Sequence, residues 1–313
     1  MPNPNAKNPQ PGNKVIVVTL GDPQGIGPEV VAKSLDAHSP AAALLVVGSR
    51  RHFPASGLRL LDDAGAIGAG ETAFLDVGDG PAGGDPSFHW VRSAVELALQ
   101  GKAQALVTGP VDKDRWLTAG LPYRGHTDFF AAAVAAAPLM FFWSPGMRVA
   151  LFTHHIPLRE VFARLERGAI TAFVCRLDDE LRRQFGQEFV YLFSGLNPHA
   201  GEKGRLGSEE IERILPAIAE LGGKVRVAGL YPPDVVFVKA RSLKGAVVVA
   251  WSHDQGLIPF KLLHGTDGVQ VTLGLPFVRT SPVHGTARDI AGQGVADPSS
   301  MRAAIRLAES LLS

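Results

Sequence analysis

Residues 15–37 read VIVVTLGDPQGIGPEVVAKSLDA, and this stretch decides the fold class. Val15 to Leu20 is an unbroken apolar, β-branched run, the pattern of a strand covered on both faces. A glycine-rich turn comes next. Pro28 and Glu29 then open a helix, proline at the first turn and the acid near the positive end of the dipole. A buried strand feeding a helix through a tight turn begins a βαβ unit, and the same alternation recurs outward. AALLVVG (42–48) and ALVTGP (105–110) read as buried strands, with the amphipathic helix HWVRSAVELALQ (89–100) between them. Short helices are expected over Asp114–Gly120 and Asp128–Ala137, and little regular structure between Gly65 and Gly84 beyond a strand near AFLDV. Three further strands run into polar loops, in MRVALFTHH (147–155), FVYLFSGLNPHAGE (189–202) and GAVVVAWSHDQG (245–256), before a closing helix over 299–312. The pattern predicts an α/β protein whose mostly parallel sheet is covered by helices.

At 313 residues the chain suits two domains or one large one, and 46% hydrophobic with 19% charged residues suits a globular core. The formal net charge is +1 and no basic run occurs, which argues against nucleic acid as a partner. The single cysteine, Cys175, falls in an amphipathic helical pattern, cannot form an intrachain disulfide and fits a reducing compartment, so a cytoplasmic location is expected. Residues 1–14, rich in Pro and Asn, read as a disordered tail with neither leader nor anchor character, and no run reaches membrane-spanning length.

The segment Ser252–Pro298 is dense in Gly, His and charge and weakly periodic, which suggests backbone wrapped around a ligand. Ligands of open α/β sheets gather beyond the carboxyl ends of the strands. His154 or His155, His199 and His253 all follow such ends, so three imidazoles could converge on Zn²⁺ or a similar divalent ion. Glu202, Asp234 and Asp254 are candidates to orient them. GDPQGIGPE can hold an anion at a helix N-terminus but lacks the dinucleotide glycine spacing. In RGHTDFF, Thr127 can cap a helix, and His126 with Thr127 can bond a phosphate. Lys261 and Arg279 sit in apolar sequence, and a buried cation requires a carboxylate or an anionic ligand.

The blocks GDPQGIGPE, LVTGPVDK, GHTDFF, THHIPLRE, GLNPHAGE, HDQGLIPFK, TLGLPFVRTS and HGTARDIAG, in this order, resemble the signature of the 4-hydroxythreonine-4-phosphate dehydrogenase family of vitamin B6 biosynthesis. SPVHGTARDIAGQGVADP also resembles the NAD-binding loop of isocitrate and isopropylmalate dehydrogenases. The resemblance implies their two-domain α/β/α fold, not a Rossmann fold, with residues 15–128 plus 257–313 forming an NAD-binding domain and 129–256 a metal-binding, dimerisation domain. It implies metal ligation by His155, His199 and His253, with Zn²⁺ first and Mn²⁺, Co²⁺, Ni²⁺ or Mg²⁺ as alternatives. It places substrate contacts on His126, Thr127, Lys261, Arg279 and Gln270, the last where the family ordinarily has Asn. His284, Gly285, Asp289 and Asp297 match the NAD loop, Asp234 and Asp254 match acidic residues close to the family's metal and substrate, and Asp254, or a water it holds, is the candidate proton acceptor with Asp234 in reserve. The implied activity is NAD-dependent oxidation and decarboxylation of 4-phosphooxy-L-threonine by a homodimer with shared active sites. Gln270 motivates the alternatives, a dehydrogenase of a sugar-acid phosphate (threonate or erythronate 4-phosphate) or of a cis-dihydrodiol dicarboxylate. A catalytically silent binding protein is the rival of a different class.

Overall fold

The computed structural model describes residues 14–36, 41–53 and 57–313. Of the expected N-terminal tail, only Lys14 lies among the described residues. The chain divides into two compact units, one running to Pro138 and resuming from Gly274 to Ser313, the other Leu139–Leu273. The divisions fall ten and seventeen residues beyond the 128/129 and 256/257 boundaries read from the sequence. The reason lies in packing. Phe129 and Phe130 of the helix His126–Val134 join the core of the first unit, and Val269–Leu273 pairs with Leu139–Trp143 in the second.

The first unit contains β1 (Val15–Thr19), β2 (Ala43–Gly48), β3 (Arg59–Leu61), β4 (Thr72–Asp76), β5 (Ala105–Thr108) and, late in the chain, β12 (Val278–Pro282). These lie in the order β3-β4-β2-β1-β5-β12, all pairs parallel. Every residue of β1, β2 and β5 is buried, as expected when both sheet faces are covered. The helix Pro86–Leu99 shows how one cover forms. Asp85 accepts the Phe88 N–H at its start, Pro86 occupies the first turn, and Trp90, Val91, Ala94 and Val95 form the buried stripe against β1, β2 and β5. Each large apolar side chain in that stripe contributes about 1.5–3 kcal/mol, so Val91→Asp would break the layer.

The second unit holds β6 (Leu139–Trp143), β7 (Arg148–Leu151), β8 (Val190–Ser194), β9 (Arg226–Tyr231), β10 (Ala246–Ala250) and β11 (Val269–Leu273). Their order is β11-β6-β7-β10-β8-β9. β6 is antiparallel to both neighbours, whereas β7, β10, β8 and β9 run parallel. The strands β3, β6 and β9 are not legible as such in the sequence. Ser252–Pro298 is also more regular than its composition suggests. It comprises the helix His253–His264, β11 and β12, and a long loop begins only after Pro282.

Candidate active site

Three adjacent parallel strands of the second unit carry the candidate metal ligands. His155 follows β7, His253 follows β10 and His199 follows β8, with β10 lying between the other two. The His155 and His253 rings stand 5.7 Å apart, centroid to centroid. His154 meets His155 edge-on at 5.2 Å and lines a neighbouring cavity of about 290 Å³ with Phe152, Thr153 and Ile156. His253 Nδ1 is 2.7 Å from Asp254 Oδ1, a bond that orients the ring and leaves Nε2 to face a ligand. Among the described residues no group of three or more His, Cys, Asp or Glu side chains is gathered tightly enough to hold an ion. One chain thus brings two imidazoles together and holds the third on a neighbouring loop. Asp234, exposed, follows β9 at the same end of the sheet.

His199 is presented by unusual backbone. His199 to Lys203 all lie in the left-handed region, with φ of 54, 53, 76, 43 and 56°. His155 does too, at 48°. Left-handed conformation costs a non-glycine residue about 1–2 kcal/mol and persists where surrounding bonds over-determine it. Ala200 N–H donates to Asn197 O and Leu206 N–H to Gly201 O within the turn, and Glu210 anchors the residues that lead into it. Its buried carboxylate accepts the N–H groups of Leu196 and Asn197 at 2.9 and 2.7 Å and the Asn197 side-chain amide at 2.9 Å.

The anion-binding candidates divide between the units. In the first, His126 and Thr127 open the helix His126–Val134, whose N-cap is Gly125 at φ 131°. Thr127 is therefore a first-turn residue and not the cap expected from the sequence. The His126 ring stacks on Phe130 at 5.9 Å and meets Trp116 edge-on at 5.7 Å. Its Nε2 is buried without a hydrogen-bond partner among the described residues. Arg279 lies on β12 in register with Leu106 and is 1% exposed. Its Nη2 donates to Thr108 Oγ1 at 2.6 Å and its guanidinium covers the Phe130 ring at 5.1 Å. Burial, then the Arg279 and Lys113 charges, holds the His126 imidazole well below its ordinary range, while burial pulls Arg279 down to about 9. A buried cation beside an orphaned imidazole nitrogen is the arrangement an anionic group would satisfy.

In the second unit Lys261 is exposed on the helix His253–His264, so its apolar sequence surroundings did not imply burial. The i+4 spacing leaves its neighbours Ile258 and Leu262 on a solvent face. Gln270, half-buried on β11, lies opposite Phe142.

His284 and Gly285 begin the loop after β12, and a Cβ built on Gly285 meets nothing within 4 Å. Asp289 lies in the short helix Arg288–Ile290 and is exposed. Asp297 Oδ1 accepts the Ser299 hydroxyl at 2.6 Å and its N–H at 2.9 Å, and these bonds hold the carboxylate low. That use is structural, at the start of the helix Ser299–Leu312. A cavity of about 450 Å³ in the first unit is lined by Pro23, Gln24 and Gly25 on one side and Ala291 and Gly292 on another. Arg51, His52 and Phe53 also line it, so it offers a cation and an aromatic face beside the backbone of Gly25 and Gly292.

The profile of the pyridoxal phosphate biosynthetic protein PdxA family matches residues 67–308. The chain belongs to that family. It is 38% identical to a 4-hydroxythreonine-4-phosphate dehydrogenase of Desulforapulum autotrophicum, with 94% of each chain covered. It is also 36% identical to a D-threonate 4-phosphate dehydrogenase of Pectobacterium atrosepticum, over 96% of this chain and 99% of that one. Among solved structures, the 4-hydroxythreonine-4-phosphate dehydrogenase from Klebsiella pneumoniae superposes with a TM-score of 0.81 at 36% identity, covering 96% of this chain and 100% of that one. Membership of the PdxA family accords with the two-domain α/β/α fold that the motifs implied.

Lys113 and Glu210 escape a reading of the sequence alone, as do Arg115 and Arg288, which both bond the buried Asp22 carboxylate. For Lys113 a signal exists, since GPVDK places a cation just beyond the carboxyl end of a buried strand. Glu210 carries none, because an acid near a helix start reads first as a dipole partner.

Proposed function

We propose that this PdxA-family chain is an NAD-dependent oxidoreductase of the cytoplasm that oxidises and decarboxylates 4-phosphooxy-L-threonine to 3-amino-2-oxopropyl phosphate. The observation that carries the reading is the buried Arg279 beside the orphaned Nε2 of His126, with Lys113 near enough for its charge to be felt at that ring. A phosphate there would accept from Arg279 and from the Thr127 hydroxyl, and would draw a proton onto His126. Binding energy collected at this end serves to orient the reacting carbon. Lys261 and Gln270 are the remaining residues proposed to contact substrate.

His155 and His253 fit two positions of a nitrogen-rich divalent site, Zn²⁺ first, and His199 supplies the third donor. A bound ion would contribute Lewis-acid polarisation of the substrate hydroxyl. Asp254 keeps His253 oriented and leaves the rest of an exposed carboxylate to accept the hydroxyl proton, with Asp234 in reserve. The reading includes a homodimer with shared active sites. Leu262 (82% exposed) and Ile258 (67%) support it, large apolar side chains one helical turn apart on the helix that begins at His253. His284, Gly285 and Asp289 would hold NAD⁺. Asp297, already bonded to Ser299, would shape that loop from behind.

Gln270 favours a second reading, D-threonate 4-phosphate, because its longer amide reaches a different substrate atom from that of an asparagine. The test is NAD⁺ reduction measured on both phosphorylated substrates and on a cis-dihydrodiol dicarboxylate, with metal content determined on the same sample. Turnover on 4-phosphooxy-L-threonine is expected, lost after chelation and in His199→Ala. Reduction of NAD⁺ with the dihydrodiol alone would overturn the phosphate assignment, and turnover indifferent to chelation would remove the metal.

A further inference from the structure

Three neighbouring strands of the first unit, β1, β5 and β12, point their carboxyl ends the same way, and their loops are locked by charges that the proposed chemistry leaves unused. Asp22, in the turn after β1, is 1% exposed. Its Oδ2 accepts Arg288 Nε at 3.1 Å and Nη2 at 2.9 Å, and its Oδ1 lies 3.3 Å from Arg115 Nη1. Asp112, in the loop after β5, takes the other side of Arg288 through Oδ2 at 2.8 Å while its Oδ1 caps the helix Lys113–Thr118. Arg115 extends the chain of charges to Asp85 at 3.0 Å. A single guanidinium in the loop after β12 therefore joins the loop after its neighbour β5 to the loop after β1, one strand further on. The backbone is tied in the same sense, since Ile26 N–H donates to Thr286 O at 2.8 Å and any Cβ on Gly25 would stand 2.7 Å from that oxygen.

We propose that Arg288 is a positioning residue that pre-forms the loop carrying His284, Gly285 and Asp289 for its dinucleotide, which rests on the NAD reading above. A flexible loop would have to be ordered at each binding event, and that cost would emerge as weaker cofactor affinity. A fork geometry shared between two carboxylates suits arginine and is matched only in part by lysine. Arg288 touches no reacting atom. Its loss should therefore raise the KM for NAD⁺ and leave kcat nearly intact.

The test has two arms on the intact protein. The first is amide hydrogen exchange over residues 284–293, without cofactor, in wild type, Arg288→Gln, Arg288→Lys and Asp112→Asn. The second is steady-state kinetics with NAD⁺ varied. Expected are about tenfold faster exchange in Arg288→Gln, a rise in the KM for NAD⁺ of about tenfold and kcat within about twofold, with Arg288→Lys restoring part of both. Asp112→Asn keeps the helix cap and should fall between. Unchanged exchange in Arg288→Gln and Asp112→Asn would overturn the proposal. So would faster exchange accompanied by an unchanged KM, or a fall in kcat alone. If the wild type reduced no NAD⁺ with any substrate, the functional reading would fail separately, and the exchange arm would still decide whether Arg288 holds the loop.

Discussion

Replacing Arg279 with methionine should make the ligand-free protein more stable and abolish its affinity for phosphate. Arg279 is pulled from the ordinary arginine range to about 9 by burial, a displacement of at most about 5 kcal/mol against the charged form at about 1.4 kcal/mol per pH unit. Its partners offset part of it, Thr108 and Phe130 among them. The bond to Thr108 contributes about 1 kcal/mol and the Phe130 face about 2 kcal/mol when desolvated. What its partners leave uncompensated is at most about 2 kcal/mol, a cost that Met, similar in length and apolar, would relieve. Under the proposed function this charge meets an anion, so wild type should gain about 2.7 kcal/mol from inorganic phosphate at a hundred times its Kd. Arg279→Met should gain nothing. Urea denaturation with and without phosphate reads both effects from midpoints at constant slope. A variant destabilised by more than about 1 kcal/mol without phosphate, or still protected by phosphate, would refute the assignment of this cation to the ligand.

His126 should give the protein a pH-dependent stability of definite sign. Its imidazole in the folded chain resists protonation well below the ordinary range, whereas the unfolded one takes a proton near pH 6.5. The stability it confers is therefore complete above about pH 6.5 and falls as pH drops below, by up to about 1.4 kcal/mol per pH unit. His126→Asn should show a shallower loss between about pH 7.5 and 5.5, measured by urea midpoints. Glu210→Gln should cost about 2 kcal/mol, because an amide N–H₂ would face the Asn197 side-chain donor in a buried site. An unchanged denaturation midpoint would show that Glu210 does not hold the left-handed turn.

The parts of the fold legible in the sequence are those where one local signal suffices. VIVVTL, ALLVVG and AVVVA are uninterrupted because both faces of their strands are buried, and periodicity alone finds them. LMFFW escapes because a strand that is antiparallel to both neighbours and only partly covered looks like any short apolar run. Arg226–Tyr231 escapes because it is half-exposed, contains Gly229 and departs from regular pairing beside Tyr191 and Leu192. Thr127 reads as a cap because threonine is a preferred capping residue, whereas Gly125 reaches the φ of 131° that this turn requires.

The candidate site divides along the same physical line. His155, His199 and His253 are conspicuous because each is a reactive side chain soon after a buried run, a property readable without knowing which strands are neighbours. Whether they meet depends on sheet order, and the order β7-β10-β8 brings their loops side by side although the chain visits those strands in a different sequence. Arg288 cannot be found in this way. Its partner Asp22 is 266 residues distant, and the pairing exists only because β12 lies beside β5 and β5 beside β1. Once that order is known, the pairing becomes a local matter. A guanidinium beyond the end of β12 reaches the loop after its neighbour β5 and, one strand further, the loop after β1, and both of those loops present an aspartate. Candidates for the chemistry are thus marked by position within one element, whereas a candidate positioning residue such as Arg288 is marked by adjacency between elements, which no single stretch of sequence encodes.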